Sequence, residues 1–65
     1  MKKMTEIRKE RGMSMSGLAR NAQMHVSSIS QIESGRLIPY PKQANKIAKA
    51  LDWDGDPQAL FAEVS

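Results

Sequence analysis

The 65-residue chain has no cysteine, one histidine and three aromatic residues. Without cysteine there is no disulfide support and no cysteine-based zinc site. One histidine and scattered carboxylates do not make a metal-ligating set. No apolar run approaches the roughly 20 residues of a membrane span. The opening MKKMTEIRKERG has two adjacent lysines but no apolar stretch after them, so it does not read as a signal peptide. There is no glycine-rich phosphate loop, and so small a chain leaves little room for a pocket. An enzyme is not expected, and no cofactor is implied. The missing cysteines fit a reducing cytoplasm.

Acidic residues are also scarce over most of the chain. Residues 1–51 hold all ten Lys and Arg but only Glu6, Glu10 and Glu33, a net charge of +7. Residues 52–65 hold Asp52, Asp54, Asp56 and Glu63 and no base, a net charge of −4, which together give the overall +3. A basic body with an acidic end suits a polyanionic partner for the body, with the end facing away. A plain solvated surface would show the same imbalance.

A chain of this size is one domain and buries only about 60% of its unfolded surface. Helix packing or a partner subunit must hold it together. The expected fold is all-α, five short helices around one core. Helix 1 is expected over about Lys3 to Arg11, with Met4 and Ile7 inward and Gly12 as its stop. Ser14 is a good N-cap for helix 2, which should run to Ala22. Helix 3 should run from Val26 to Ser34, with Ile29 and Ile32 inward and Gly35 ending it. Helix 4 starts near Pro41, and Ala44, Ile47, Ala48 and Leu51 follow at i, i+3, i+4 and i+7 on one buried face. Asp56-Pro57 reads as the start of a short helix 5 ending near Val64. Met4, Met13 and Met24 are core filler, whereas Met15 is expected at the exposed start of helix 2. Trp53 is expected to pack at the junction of helices 4 and 5.

Residues 14–35 carry the functional signal. Two short helical patterns are joined by a tight turn, and small Ala19 lets the two helices cross closely. The second pattern shows small polar residues on its outward side, as in a helix that reads DNA bases braced by a helix lying across it. The set Ile7-Arg8, Arg11-Gly12-Met13-Ser14, Leu18-Ala19, Ile29 through Arg36, Pro39 and Ile47 through Leu51 resembles the phage-repressor (Xre, lambda-repressor-like, Cro-type) helix-turn-helix family. The resemblance spans residues 7–51.

The resemblance implies a sequence-specific double-stranded DNA-binding protein, most simply a transcriptional repressor on a palindromic operator. Val26, Ser27, Ser30 and Gln31 match the base-contact positions of helix 3. Gln pairs well with adenine N6 and N7, serine serves either groove edge, and Val26 suits a thymine methyl or the core. Phosphate contacts fall to Ser14, Met15 and Ser16 at the start of helix 2, and to His25, Ser34, Arg36 and Lys42. Arg8 and Glu33 match a family ion pair that locks helix 1 to the end of helix 3. Family members commonly pair through the C-terminal region, here Trp53, Leu60, Phe61 and Val64, although Leu60 and Phe61 would equally close the monomer core.

Two departures stand out. Gln23 occupies a turn position where the family has Gly, and Gly17 removes the Glu or Gln of a capping box. His25 replaces the usual Ser or Thr cap of helix 3. A second reading is a protein-binding module of antitoxin or antirepressor type, making its contact through the C-terminal helix.

Overall fold

In the computed structural model, which describes residues 1–64, the chain forms four α-helices. These are α1 (Lys3–Glu10), α2 (Met15–Ala22), α3 (Val26–Glu33) and α4 (Pro41–Ala50). Helix α2 packs on α3 and on α4. The crossing is close because Ala19 and Ala22 of α2 are both buried and carry only a methyl group. Met4, Leu18, Ile29, Ile32, Ile47 and Leu51 fill the space between the helices and are almost wholly shielded from solvent. Met13, Met24 and also Met15 pack against this core. The expectation of an exposed Met15 is therefore corrected. Its flexible thioether folds onto apolar neighbours although its backbone opens α2.

The expected fifth α-helix is instead a 3-10 helix, Pro57–Phe61. Asp56 does start it, its carboxylate accepting from the Gln58 N–H at 3.0 Å. The element stops at Phe61 because the chain becomes extended and pairs with the opposite terminus. The Lys3 N–H donates to the Ala62 carbonyl at 2.9 Å, and the Val64 N–H to the Met1 carbonyl at 2.8 Å. Those groups are thus unavailable to a longer helix.

Glu63 in this seam accepts from the N-terminal ammonium and from Lys2, each at 3.3 Å. These bonds hold its carboxyl below the ordinary 4.5, the ammonium being the larger cause. Lys3, bonded to Glu6, is raised above 10.5. A depressed acid stabilises above its unfolded value, and that contribution is lost as pH falls through its folded value. A raised base stabilises below its unfolded value, and its contribution is lost on alkalinisation. The melting temperature should therefore decline below about pH 4.5, and Glu63→Gln should flatten part of that decline in pH-dependent thermal melts.

All four α-helices end in the same way, in a Schellman motif. A left-handed residue follows each helix: Gly12 (φ 66°), Gln23 (φ 56°), Gly35 (φ 83°) and Asp52 (φ 55°). The next residue's N–H reaches back five positions, to Arg8, Ala19, Gln31 and Ala48, at 2.8–3.0 Å. Asp tolerates this conformation better than most residues, whereas Gln has no such relief. Gln23→Gly should remove about 1–2 kcal/mol of backbone strain. Against that, it adds unfolded-state entropy worth about 0.4–1 kcal/mol. A net rise of a few degrees in melting temperature is expected by calorimetry.

Candidate nucleic-acid interface

Helix α3 has two chemically distinct sides. Ile29 and Ile32 are buried, while Ser27, Ser30, Gln31 and the following Ser34 are exposed. These four positions are spaced i, i+3, i+4 and i+7, so they form one stripe opposite the isoleucines. Val26, at the first turn, is 46% exposed, which places it outside the core. The stripe therefore presents an amide, three hydroxyls and one branched alkyl group. Ser34 is partly committed, its hydroxyl donating to the Gln31 carbonyl at 3.1 Å.

One arginine holds this helix in place. The Arg8 Nε donates to Glu33 Oε2 at 2.8 Å, and Nη2 donates to Oε1 at 3.3 Å. The two side chains are only 9% and 6% exposed. Nη1 of the same guanidinium donates to the Met13 carbonyl at 2.9 Å. Arg8 of α1 thus ties the end of α3 to the residue just before the α2 cap. The planar fork of Arg makes three such bonds at once, which a lysine ammonium would not hold in one plane. The bond to Met13 was not foreseen, because a side-chain-to-carbonyl contact leaves no mark in residue spacing.

The start of α2 is capped by Ser14, whose hydroxyl accepts from the Gly17 N–H at 2.9 Å. A Cβ on Gly17 would lie 3.2 Å from that hydroxyl, so glycine here fits the close approach. The N–H groups of Met15 and Ser16 have no backbone or side-chain acceptor among the described residues. They join the positive end of the helix dipole. His25 precedes α3 without making a side-chain cap and is exposed, as are Arg36 and Lys42. Arg36 is placed by the Schellman motif of α3. In the other three motifs the equivalent residue, Met13, Met24 or Trp53, packs on the core. At the end of α3 alone that position is charged and turned to solvent.

The electrostatics are one-sided. Between residues 11 and 51 Glu33 is the single acid, and it is buried against Arg8. Arg11, Arg20, Arg36, Lys42, Lys46 and Lys49 have no carboxylate within ion-pair distance among the described residues. The segment from residue 11 to residue 51, which carries α2, α3 and α4, therefore offers no exposed carboxylate. No group of three or more carboxylates and histidines is placed to hold a metal ion among the described residues. No helix there is long and apolar enough to cross a membrane.

The four C-terminal residues proposed from sequence as dimer contacts lie in different environments. Leu60 is wholly buried, a correction to that expectation. The 3-10 helix packs on both α1 and α4, and Leu60 fills the space between them, so it has no surface to offer a second copy. Trp53 is half-buried. Its indole N–H donates to the Asp56 carbonyl at 3.0 Å, and its ring lies over Gly55, where an added Cβ would meet it at 3.0 Å. Phe61 and Val64 are half-buried. Two exposed residues were missed, Ile38 (85% exposed) and Tyr40 (72%) in the linker between α3 and α4. Ile38 and Tyr40 stand on either side of Pro39 without helical periodicity, so no pattern assigned them a face.

A helix-turn-helix family model matches residues 4–55, a span covering α1 through α4. The chain belongs to the helix-turn-helix family of Xre and lambda-repressor-like proteins, which are DNA-binding regulators. No curated protein and no solved structure matches it.

Proposed function

We propose that this protein is a sequence-specific repressor that reads the major groove of double-stranded DNA with α3. The observation that carries the reading is the outward stripe Ser27, Ser30, Gln31 and Ser34, free of acid and bordered by unpaired cations. Gln31 makes paired hydrogen bonds to an adenine, Ser27 and Ser30 read groove edges, and Val26 packs on a thymine methyl. The Met15 and Ser16 N–H groups beside the Ser14 cap hold one phosphate. Arg36 and Lys42 neutralise others, with Ser34 and His25 as lesser donors. None of these base or phosphate contacts needs a cofactor.

A single module of this size covers only about 600–1,000 Å² of protein surface on DNA. Useful specificity therefore calls for two copies on a palindromic operator, with half-sites about 34–36 Å apart. Phe61 and Val64, both half-buried, keep part of their surface for a partner.

The test is a fluorescence titration with random-sequence duplex at several salt concentrations, comparing the unmodified chain with Arg36→Ala. Binding should weaken steeply with salt, and the log–log slope should fall by about 0.9 in the variant. Selection of an operator would follow, with Gln31→Ala losing about 1–3 kcal/mol of discrimination at one base pair. Absence of binding at low salt would overturn the reading and favour a protein partner at the C-terminal segment.

A further inference from the structure

Met1, Val26, Ile38 and Tyr40 are the large apolar residues that stand exposed among the described residues. Val26 belongs to the α3 face. Ile38 and Tyr40 lie together in the linker to α4, and each is followed by a proline, Pro39 and Pro41. Proline fixes its own φ and confines the residue before it to extended backbone. Tyr40 has that conformation, with ψ 158°. The linker is thus a stiff strap that holds an isoleucine and a tyrosine out in water. Little conformational entropy remains to be lost when something covers them.

Beside Ile38 is a groove of about 150 Å³, walled by Ile32, Leu37, Pro39 and Phe61 and closed on one side by Lys2. A space of that size takes one aromatic ring or branched side chain. Lys2 serves the groove with both of its parts. Its side chain is 19% exposed, and its ammonium bonds Glu63 at 3.3 Å. A Cβ added to Gly35 would lie 3.9 Å from Lys2 Cε. The methylene stem therefore lines the groove at the end of α3, while the charge stays at the rim.

Charge decides what fits there. Arg36 precedes Ile38 by two residues and Lys42 follows Tyr40 by two, each within about 7 Å of chain. Both cations are exposed, and neither has a carboxylate within ion-pair distance among the described residues. Residues 34–51 hold no acid at all. Glu63, beside Lys2, is already shared with the N-terminal ammonium. A second copy of this chain would bring the same cations to the strap and be repelled. A DNA backbone would match the cations but offers the groove no apolar group. A peptide segment with carboxylates around an apolar side chain matches both. We propose that the strap docks an acidic segment of a partner protein, one apolar side chain of which enters the groove beside Ile38 while flanking Asp or Glu side chains meet Lys2, Arg36 and Lys42.

The covered area is at the low end of transient interfaces, so the Kd should be on the order of 10–100 μM and should weaken with salt. Arg36 and Lys42 are also the cations assigned above to phosphates. The partner and the operator therefore compete, and docking of the acidic segment releases DNA. This part rests on the repressor reading, while the docking itself does not.

Peptides selected from a random library on the full chain, and counter-selected on Ile38→Ser, supply the probe. They should carry Asp and Glu around one large apolar residue. Labelled and titrated in solution, they should bind with the Kd above and lose roughly tenfold or more on Ile38→Ser. That residue is exposed, so the change leaves the fold intact. Tyr40→Ser should also weaken them, and serine keeps α4 well capped. Lys2→Gln should weaken them by roughly two- to fivefold and flatten the salt dependence. Failure to enrich any peptide that Ile38→Ser rejects, or enrichment of uncharged or basic peptides, overturns the proposal. Weaker duplex binding by Ile38→Ser also overturns it and assigns the strap to DNA. Concentration-dependent NMR shifts of Ile38 in the chain alone overturn it in favour of a second copy. In competition, the peptide should displace random-sequence duplex in step with its own occupancy, and a complex holding peptide and duplex together overturns the release of DNA. A chain that binds no duplex at low salt counts against the repressor reading and leaves peptide binding to decide the docking.

Discussion

Arg8→Ala should lower folding stability by about 3–5 kcal/mol, because it leaves the Glu33 carboxylate buried without its partner. Glu33 is 6% exposed, so water does little to replace the guanidinium. The substitution also strands the Met13 carbonyl, which accepts from the same side chain at 2.9 Å. A chain this small has little stability to spare, and the variant should be substantially unfolded at 37 °C. Circular dichroism melts read this directly. Arg8→Met combined with Glu33→Leu should recover most of the loss, since removing both charges leaves neither unpaired. If the double variant folds, its DNA affinity reports the other role of the pair. It should bind more weakly than the unmodified chain at equal stability, because the α2 start and α3 are no longer tied through one guanidinium. A melting temperature unchanged by Arg8→Ala would show that the pair is solvated.

Leu60→Ala should cost about 2–5 kcal/mol through the cavity it opens between α1, α4 and the 3-10 helix. The decisive readout is the concentration dependence of melting. A core residue lowers the melting temperature equally at all concentrations, whereas an interface residue gives a deficit that changes with concentration through mass action. The complete burial of Leu60 predicts the first behaviour. The loss should be visible in the monomer, with half-site binding retained wherever the variant is folded.

These results bear on how much of the molecule the sequence disclosed. The four α-helices were legible because each carries a 3.6-residue apolar repeat and a polar or glycine boundary, as with Ser14 before α2 and Gly35 after α3. The outward stripe of α3 was legible for the same reason, since Ile29 and Ile32 mark the opposite side. The C-terminal element was not. Asp56-Pro57 starts an α-helix and a 3-10 helix equally well, and the choice was made by residues 62–64 pairing with residues 1–3, a contact with no local signature. Leu60 was ambiguous because one leucine in a short segment serves a core or an interface alike. Asp52 went unnoticed as a left-handed residue because no glycine flagged it. The partnership of Arg8 with Glu33 came from family resemblance rather than from spacing, as 25 residues separate the two.

The seam between residues 1–3 and 62–64 has a mechanical consequence. Met1 is paired with Val64, so both ends of the described chain leave the surface at one point. Force applied through extensions at the two ends would open the seam like a zipper, one hydrogen bond at a time, rather than shearing all of them together. The first helix to be loaded is α1, which carries the Arg8 brace of α3. Tension on the ends would therefore pull first on Met4 at the start of α1 and then on the Arg8 brace of the reading helix, and an optical-trap trace should show α1 detaching as the first step.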